Sequence, residues 1–194
     1  KQTRRFNKKS LKFRPMLHLP NWIIVYGTDR NSGKTTLITR IIHKFSTYLS
    51  ISGLKISPHF HPLEESTQIV IKTDQYVITR EQNRDSGKDS SRMLEAGAKQ
   101  VYYVQVWDNK LESVLPGILE QVKTTDAVIC ESGWARNLIK PGLFLILNRK
   151  GNTNVKESLA QLHPLADAFI EFDGSGFNFD IDRIAFENGN WKLG

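Results

Sequence analysis

The stretch of residues 27–36 has the sequence Gly27-Thr28-Asp29-Arg30-Asn31-Ser32-Gly33-Lys34-Thr35-Thr36, and the fold can be inferred from it and its flanks. Before it, residues 22–26 (WIIVY) form a short apolar run, which is typical of a strand buried on both faces. After it, apolar residues recur on one face of a helix: Leu37, Ile38, Ile41, Ile42 and Phe45. A glycine-containing loop between a buried strand and a helix predicts that backbone N–H groups and the helix N-terminus bind phosphate together.

The residue types within this loop match those of a P-loop, which binds nucleotide phosphates. The residues of the loop predicted to bind the nucleotide are Gly27, Asn31, Ser32, Gly33, Lys34, Thr35 and Thr36. We expect Lys34 to pair with the β- and γ-phosphates and to act in catalysis, and the Thr35 hydroxyl to bind Mg²⁺. The spacing departs from the standard motif, because five residues rather than four separate Gly27 from Gly33.

Apolar runs and helical patterns alternate along most of the chain. Further strands are predicted near residues 54–56, 102–106, 127–130, 143–147 and 168–170. Helices are predicted from Asp89 onward, over 111–122 and near 155–162. Residues 68–71 and 76–79 indicate an inserted hairpin, and Asn188-Gly189 indicates a C-terminal one. This order predicts a three-layer α/β/α P-loop NTPase fold with a mainly parallel sheet and a C-terminal hairpin.

The net charge of +7 is concentrated near the N-terminus. Seven of the 27 Lys and Arg residues and no carboxylate lie in residues 1–20, so the remaining 20 cations balance the 20 acidic residues. We therefore expect a basic tail over 1–20, a single nucleotide-binding domain over 21–194, and no nucleic-acid site on that domain. Apolar runs of five residues are too short to span a membrane, which takes roughly 20. The single Cys130 indicates a reducing, cytoplasmic setting.

Several polar residues next to the predicted strands are candidates for chemistry. Glu131 follows an apolar run at the carboxyl edge of the sheet, where we expect it to position a metal ion or water in catalysis. Asp89 is well suited to capping the helix that it starts. His59 and His61 have no further ligands at structural-zinc spacing, which favours an exposed or substrate-facing loop. Cys130 lies inside an apolar run and is expected to be a core residue.

Residues 27–35 (GTDRNSGKT) resemble the phosphate loop of dethiobiotin synthetases, which share the additional residue and the G-T-D opening. Those enzymes belong to a wider group of P-loop proteins that includes the molybdopterin-guanine dinucleotide biosynthesis protein B family. Residues 53–61 (GLKISPHFH) are similar to the lysine-ended second strand and histidine-containing loop of that family. Residues 87–98, which contain GKDS and AGA, and the turn Glu131-Ser132-Gly133 are also similar to these proteins.

The resemblance implies roles for three residues. Asp89 matches a helix-starting aspartate that helps to bind Mg²⁺ in related enzymes, and Glu131 matches an acidic turn after the corresponding strand. Asn148 is similar to the asparagine with which dethiobiotin synthetases read the base. A guanine-specific N-K-x-D motif requires an aspartate where Gly151 stands, so both ATP and GTP stay open.

Two functions are implied by the resemblance. The first is an accessory protein of molybdenum cofactor biosynthesis that binds GTP or ATP with Mg²⁺. Binding would order the polar loop 80–92, and slow hydrolysis would release it. Its partner would be another molybdenum-cofactor biosynthesis protein, and a homodimer is a candidate assembly because related proteins often dimerise. The alternative is an ATP-dependent small-molecule ligase or kinase of the dethiobiotin synthetase type. The short segment between Glu131 and Leu143 disfavours this alternative, because that family has an additional strand and helix there.

Overall fold

The computed structural model describes residues 16–29, 31–152 and 157–194. The strands in these ranges are β1 (Leu17–Gly27), β2 (Ile51–Ser57), β3 (Gln68–Lys72), β4 (Tyr76–Arg80), β5 (Gln100–Val106), β6 (Ala127–Glu131), β7 (Ile139–Arg149), β8 (Ala168–Phe172), β9 (Ile184–Glu187) and β10 (Asn190–Leu193). The α-helices are α1 (Lys34–Phe45), α2 (Asp89–Glu95), α3 (Leu111–Val122) and α4 (Glu157–Leu162). The first residues of the helix predicted near 155–162 lie outside the described ranges.

Eight strands form one sheet in the order β3-β4-β5-β2-β6-β1-β7-β8. The six strands from β5 to β8 in this order pair in parallel. The inserted hairpin β3–β4 extends the sheet in antiparallel fashion beside β5. The prediction of a mainly parallel sheet with an inserted hairpin is therefore confirmed, and the apolar runs that predicted its strands reflect burial on both faces.

Alternate residues of the central strand β1 face two separate cores. Trp22 and Ile24 pack in the core that α3 covers, together with Leu162 of α4. Ile23 and Val25 pack in the opposite core, which is covered by α1, α2 and the hairpin β9–β10. Helices on both faces of one sheet give the predicted three layers.

The helices are short and lie against the sheet. α1 and α3 have 12 residues each, and each buries one apolar face. In the described part of the chain, no helix combines the length and the apolar character needed to cross a membrane.

Strands β1 and β7 are longer than the apolar runs that predicted them. β1 begins at Leu17, which pairs with Ile139 of β7, so residues 17–20 of the predicted tail are part of the sheet. The register shifts between Leu19 and Ile23, where Pro20 lies. Proline cannot donate a ladder hydrogen bond and breaks the apolar run, which explains why the boundary of the tail was predicted too late in the chain. Residues 1–15, which carry the seven basic residues, lie outside the described ranges.

The C-terminal hairpin β9–β10 turns at Asn188-Gly189, as predicted, with a positive φ at both residues. It attaches to the sheet through Trp191, which is 2% exposed. The Trp191 ring meets Phe45 of α1 edge to face, with 4.8 Å between the ring centroids. Its indole N–H donates to the Asn21 carbonyl of β1 at 2.9 Å. This side chain thus joins the hairpin, α1 and the strand that leads to the P-loop.

Replacing Trp191 with Ala should lower the free energy of unfolding by about 3–5 kcal/mol, because the exchange removes a fully buried aromatic ring and leaves a cavity. Urea denaturation followed by circular dichroism measures this loss. Trp107→Ala is the matched control, since Trp107 is 55% exposed and its loss should change the stability by less than about 1 kcal/mol. Equal midpoints for Trp191→Ala and the wild type would show that the hairpin is not anchored in this way.

Candidate functional site

The P-loop is tightly folded, and its geometry requires both of its glycines. A Cβ atom on Gly27 would lie 2.3 Å from Ser32 Oγ and 2.5 Å from Lys34 Cδ, so only glycine leaves room for the Lys34 side chain. Gly33 has φ 85°, a left-handed conformation that glycine adopts without steric cost. Asn31 is also left-handed, with φ 63°, which asparagine tolerates better than most residues. The five-residue spacing is thus accommodated by two left-handed residues ahead of α1.

Lys34 is the first residue of α1 and extends along the inside of the loop. Its Nζ donates to the Asp29 carbonyl at 2.7 Å and to Ser32 Oγ at 3.3 Å. A cavity of about 490 Å³ opens in front of the loop and the N-terminus of α1. It is lined by Asn31, Ser32, Gly33, Lys34, Thr35, Thr36, Lys55, Asp89, Arg92, Glu131 and Phe172. A helix N-terminus together with two lysines makes this cavity suitable for an anion.

A cluster of charges lies beside this cavity, where β2 and β6 end. Lys55 and Glu131 are neighbours in the parallel register of these strands, and Lys55 Nζ lies 3.8 Å from Glu131 Oε2. Lys55 also donates a hydrogen bond to Asp89 Oδ2. The other oxygen of Asp89 accepts from the Thr35 hydroxyl at 2.8 Å. The ammonium group of Lys55 therefore lies between the two carboxylates that the sequence predicts as metal ligands.

Asp89 does not cap its own helix, so the prediction of a helix cap is wrong. Lys88 occupies the N-cap position, with no side-chain cap bond, and Asp89 is the first helical residue. The Asp89 carboxylate instead points across to α1 and β2, where its partners are Thr35 and Lys55. This orientation fits the metal-binding role that the resemblance implies.

Burial and charge shift the pKa values of this cluster. Burial raises the pKa of the Glu131 carboxyl above its ordinary value, although Lys55 opposes the shift. Burial lowers the pKa of the Lys34 ammonium, against the attraction of Glu131. For Lys55, burial is outweighed by the carboxylates of Glu131 and Asp89, which raise the pKa of its ammonium. For Asp89, burial is likewise outweighed by Lys55, whose hydrogen bond and charge lower the carboxyl pKa.

The oxygen atoms of this cluster fit a hard divalent cation. The Glu131 side chain is only 11% exposed, and its Oε2 accepts no hydrogen bond from the residues that the structure describes. A buried carboxylate oxygen without such a partner is costly unless a cation binds there. Two carboxylates and the Thr35 hydroxyl are ligands that Mg²⁺ prefers, and Mg²⁺ fills its remaining positions with water and phosphate oxygens.

Asn148 lies behind the loop and does not line the 490 Å³ cavity. Its Oδ1 accepts from the Thr28 hydroxyl at 2.6 Å, and its Nδ2 donates to the Asn152 carbonyl at 3.1 Å. Asn152 in turn donates from its side chain to Asp29 Oδ2 at 2.7 Å. These bonds tie the end of β7 to the P-loop, so Asn148 is placed next to the loop but its amide already has protein partners.

The structure adds three residues to the site that the sequence did not single out. Lys55 had two signals: it is the lysine of residues 53–61, which are similar to a lysine-ended second strand, and it is the one charged residue of the mostly buried strand β2. Arg92 follows Asp89 by three residues on α2, a spacing that places both on one helix face. Phe172, the last residue of β8, also lines the cavity. Nothing in the sequence distinguishes it from the other apolar residues of the strands.

The three remaining candidates, two histidines and a cysteine, lie apart from the P-loop. His59 and His61 are exposed in the loop after β2, as predicted. Cys130 is fully buried within β6, where burial raises the pKa of its thiol, so it is a core residue. Within the described ranges, no three His, Cys, Asp or Glu side chains are grouped closely enough to hold a metal ion by themselves.

No protein-family model matches the chain, and no curated protein matches it. The similarity to the molybdopterin-guanine dinucleotide biosynthesis protein B family therefore stays a prediction from short segments.

Among solved structures, the chain is similar to LpxK from Aquifex aeolicus, in an "apo" form in complex with ATP. The TM-score is 0.51 and the sequence identity is 18%. The match covers 87% of this chain but 53% of the other, so the chain spans about half the length of LpxK. At this identity the similarity concerns the fold, and it confirms that the chain has a P-loop α/β fold.

Proposed function

We propose that the chain binds a nucleoside triphosphate, ATP or GTP, together with Mg²⁺ and hydrolyses it slowly. The observation that carries this proposal is the convergence of Lys34, Thr35, Asp89 and Glu131 on one cavity at the N-terminus of α1. The loop supplies backbone N–H groups and Lys34 supplies the charge for the phosphates. The ATP complex of the structural neighbour supports nucleotide binding on this fold.

Thr35, Asp89 and Glu131 would hold the metal ion. When bound, Mg²⁺ would neutralise phosphate charge that builds up as the terminal P–O bond breaks. The ammonium group of Lys55 lies between Asp89 and Glu131. For the metal ion to bind these carboxylates, Lys55 would leave at least one of them and pair with a phosphate oxygen instead. Lys55 then stays paired with an anion, and the carboxylates become available to the cation.

Glu131 is also placed to orient the attacking water. It ends β6 at the edge of the cavity, and its side chain is nearly buried, which keeps it fixed relative to the phosphate site.

A place in molybdenum cofactor biosynthesis is supported by the similar segments at 53–61 and 87–98. Residues 87–90 line a neighbouring cavity, and Asp89 among them also lines the 490 Å³ cavity, so bound phosphate would adjoin the start of α2. In this role the partner is another protein of that pathway, and a homodimer is the proposed assembly.

The second candidate is an ATP-dependent ligase or kinase for a small molecule. One observation favours it, a second cavity of about 900 Å³ that shares Lys55 and Asp89 with the phosphate site. The neighbour in complex with ATP also supports an ATP site under this hypothesis.

Lys34→Ala should abolish nucleotide binding while the fold persists, because the variant lacks the ammonium group that would pair with the phosphates. In a thermal-unfolding assay with Mg²⁺ and nucleotide at roughly 100 times Kd, the wild type should gain about 2.7 kcal/mol, or roughly 5–10 °C in Tm. The variant should gain nothing, whereas Lys123→Ala, at an exposed lysine distant from the site, should respond like the wild type. A full Tm shift in Lys34→Ala would remove the P-loop from nucleotide binding.

Glu131→Gln should leave the Kd for nucleotide within about threefold and lower kcat by roughly 10–100-fold. The amide keeps the shape of the side chain but loses the charge that binds the metal and orients water. Release of inorganic phosphate under single-turnover conditions measures the effect. Glu120→Gln, at an exposed glutamate paired with Lys123, is the control and should turn over normally. An unaltered rate in Glu131→Gln would take this residue out of the mechanism.

Lys55→Met should strengthen binding of Mn²⁺, used as a probe for Mg²⁺, in the absence of nucleotide by about tenfold, or ~1.4 kcal/mol. The variant lacks the ammonium group that neutralises Asp89 and Glu131, so their negative charge is left for the metal. Titration followed by electron paramagnetic resonance reports free Mn²⁺ directly. Lys192→Met, at an exposed lysine paired with Glu187, should behave like the wild type. Equal Mn²⁺ affinity in Lys55→Met would mean that the two carboxylates do not form a cation site.

A further inference from the structure

A second cavity of about 900 Å³ adjoins the phosphate site. It lies over the carboxyl ends of β2 and β5 and the hairpin strand β4, beneath the loops that follow β2 and β4. Lys55 and Asp89 line both cavities, so the two spaces meet at the charge cluster. A volume near 900 Å³ falls within the range of about 300–1,000 Å³ that is usual for small-molecule sites.

The floor of this cavity consists of strand residues from β2, β4 and β5, and their side chains are polar. The other strands of the sheet are mostly apolar. Lys55, Tyr103 and Thr79 are direct neighbours across β2, β5 and β4, so their side chains emerge on the same face. Ser57 and Gln105 form the next such pair. Gln105 is 1% exposed and Thr79 is 5% exposed. The Thr79 hydroxyl donates to the Tyr103 carbonyl and Gln105 Oε1 accepts from the His61 N–H, so both buried groups are satisfied within the protein and form a polar base for the cavity. The less buried Lys55 and Tyr103 side chains beside them line the open space.

The walls are loops held in place by polar contacts. Lys88 donates to the Glu64 carboxylate at 2.5 Å, which joins the loop after β2 to the segment before α2. The Ser90 hydroxyl donates to Glu81 Oε2 at 2.6 Å, which fixes the segment after β4 to the start of α2. The backbone N–H of His61 donates to Gln105 Oε1 and so fixes the loop after β2 on the floor. These three contacts therefore hold the loops around the cavity in place.

The charges that line the cavity balance. Its cations are Lys55, Arg80 and Lys88, and its carboxylates are Glu64, Glu81 and Asp89. Two of the cations already pair with carboxylates of the same cavity. The groups that remain are mostly hydroxyl and amide, such as Ser57, Tyr103 and Gln82. Such a lining suits a small polar molecule without strong net charge, which hydroxyl or amide groups would anchor.

We propose that this cavity binds a polar, hydroxyl-bearing small molecule as the acceptor of the terminal phosphoryl group. The proposal rests on the nucleotide site proposed above and adds its second substrate. The acceptor oxygen forms a bond to the γ-phosphorus, and the bond from that phosphorus to the bridging β–γ oxygen breaks. The nucleoside diphosphate leaves with the bonding electron pair, and the hydroxyl proton passes to water. Lys55 lies where the two cavities meet, so its ammonium faces the phosphoryl group during transfer.

The test uses the full chain with γ-³²P-labelled ATP or GTP, Mg²⁺ and the protein-free low-molecular-weight filtrate of cells that carry this protein. We expect a labelled organic phosphoester in addition to inorganic phosphate. Thr67→Trp places an indole ring in the cavity from its wall and should lower formation of this ester by roughly 100-fold. Nucleotide affinity should stay within about twofold, because Thr67 does not line the phosphate cavity.

Thr124→Trp is the matched control. Thr124 is exposed in the turn before β6, at the amino end of that strand and away from the cavity, so this variant should form the ester normally. Ser66→Trp, at an exposed residue of the same wall, provides a second blocking variant that does not depend on how Thr67 packs. A wild type that binds nucleotide but releases only inorganic phosphate would overturn the acceptor site alone. So would normal ester formation in both blocking variants. A wild type that binds no nucleotide would overturn the proposed nucleotide site, and the acceptor site with it.

Discussion

The parallel pairing of β1, β6 and β2 is the constraint on which the site depends. In this register Glu131 is the neighbour of Val25 in β1 on one side and of Lys55 in β2 on the other. Because parallel strands end at the same edge, the P-loop after β1 and the charged residues of β2 and β6 meet in one place. The tight turn at Gly27 and Gly33 then starts α1 at Lys34, beside that edge.

The electrostatics of the cluster follow from this placement. Two carboxylates close together would repel each other, and partial burial adds a desolvation cost that is larger for Glu131, since its side chain is 11% exposed whereas that of Asp89 is 36% exposed. The ammonium of Lys55 offsets both costs while no nucleotide is bound. In the proposed mechanism a divalent cation would take the place of the Lys55 ammonium beside these carboxylates, and Lys55 would then face phosphate. The polar floor of the larger cavity begins at the same lysine, so one residue links the phosphate site to the space beside it.

The sequence predicted the layers, the parallel sheet, both hairpins and the P-loop, because local apolar periodicity and turn residues encode these features. Thr35 and Glu131, which were singled out from the sequence as metal ligands, both line the 490 Å³ cavity, since each lies at the end of a clear element. The sequence could not predict the start of β1 at Leu17, because Pro20 interrupts the apolar run and only pairing with β7 defines that part of the strand. Nor could it tell that Asp89 turns toward Thr35 rather than capping α2, or that Lys55 lies between the carboxylates. Those facts depend on which strands are neighbours, and strand order is a long-range property that local patterns do not contain.

Calorimetric titration of the full chain with ATP and with GTP, each in the presence and absence of Mg²⁺, tests most directly whether the loop of residues 27–36 binds a nucleotide. We expect at least one of the two nucleotides to bind, with an affinity that falls sharply when Mg²⁺ is omitted, because the phosphates then lose the whole cation, whereas Glu131→Gln removes only one of its proposed ligands. The preferred base would then identify the nucleotide. Absence of binding by both nucleotides in the presence of Mg²⁺ would contradict the claim that the loop of residues 27–36 is a phosphate site.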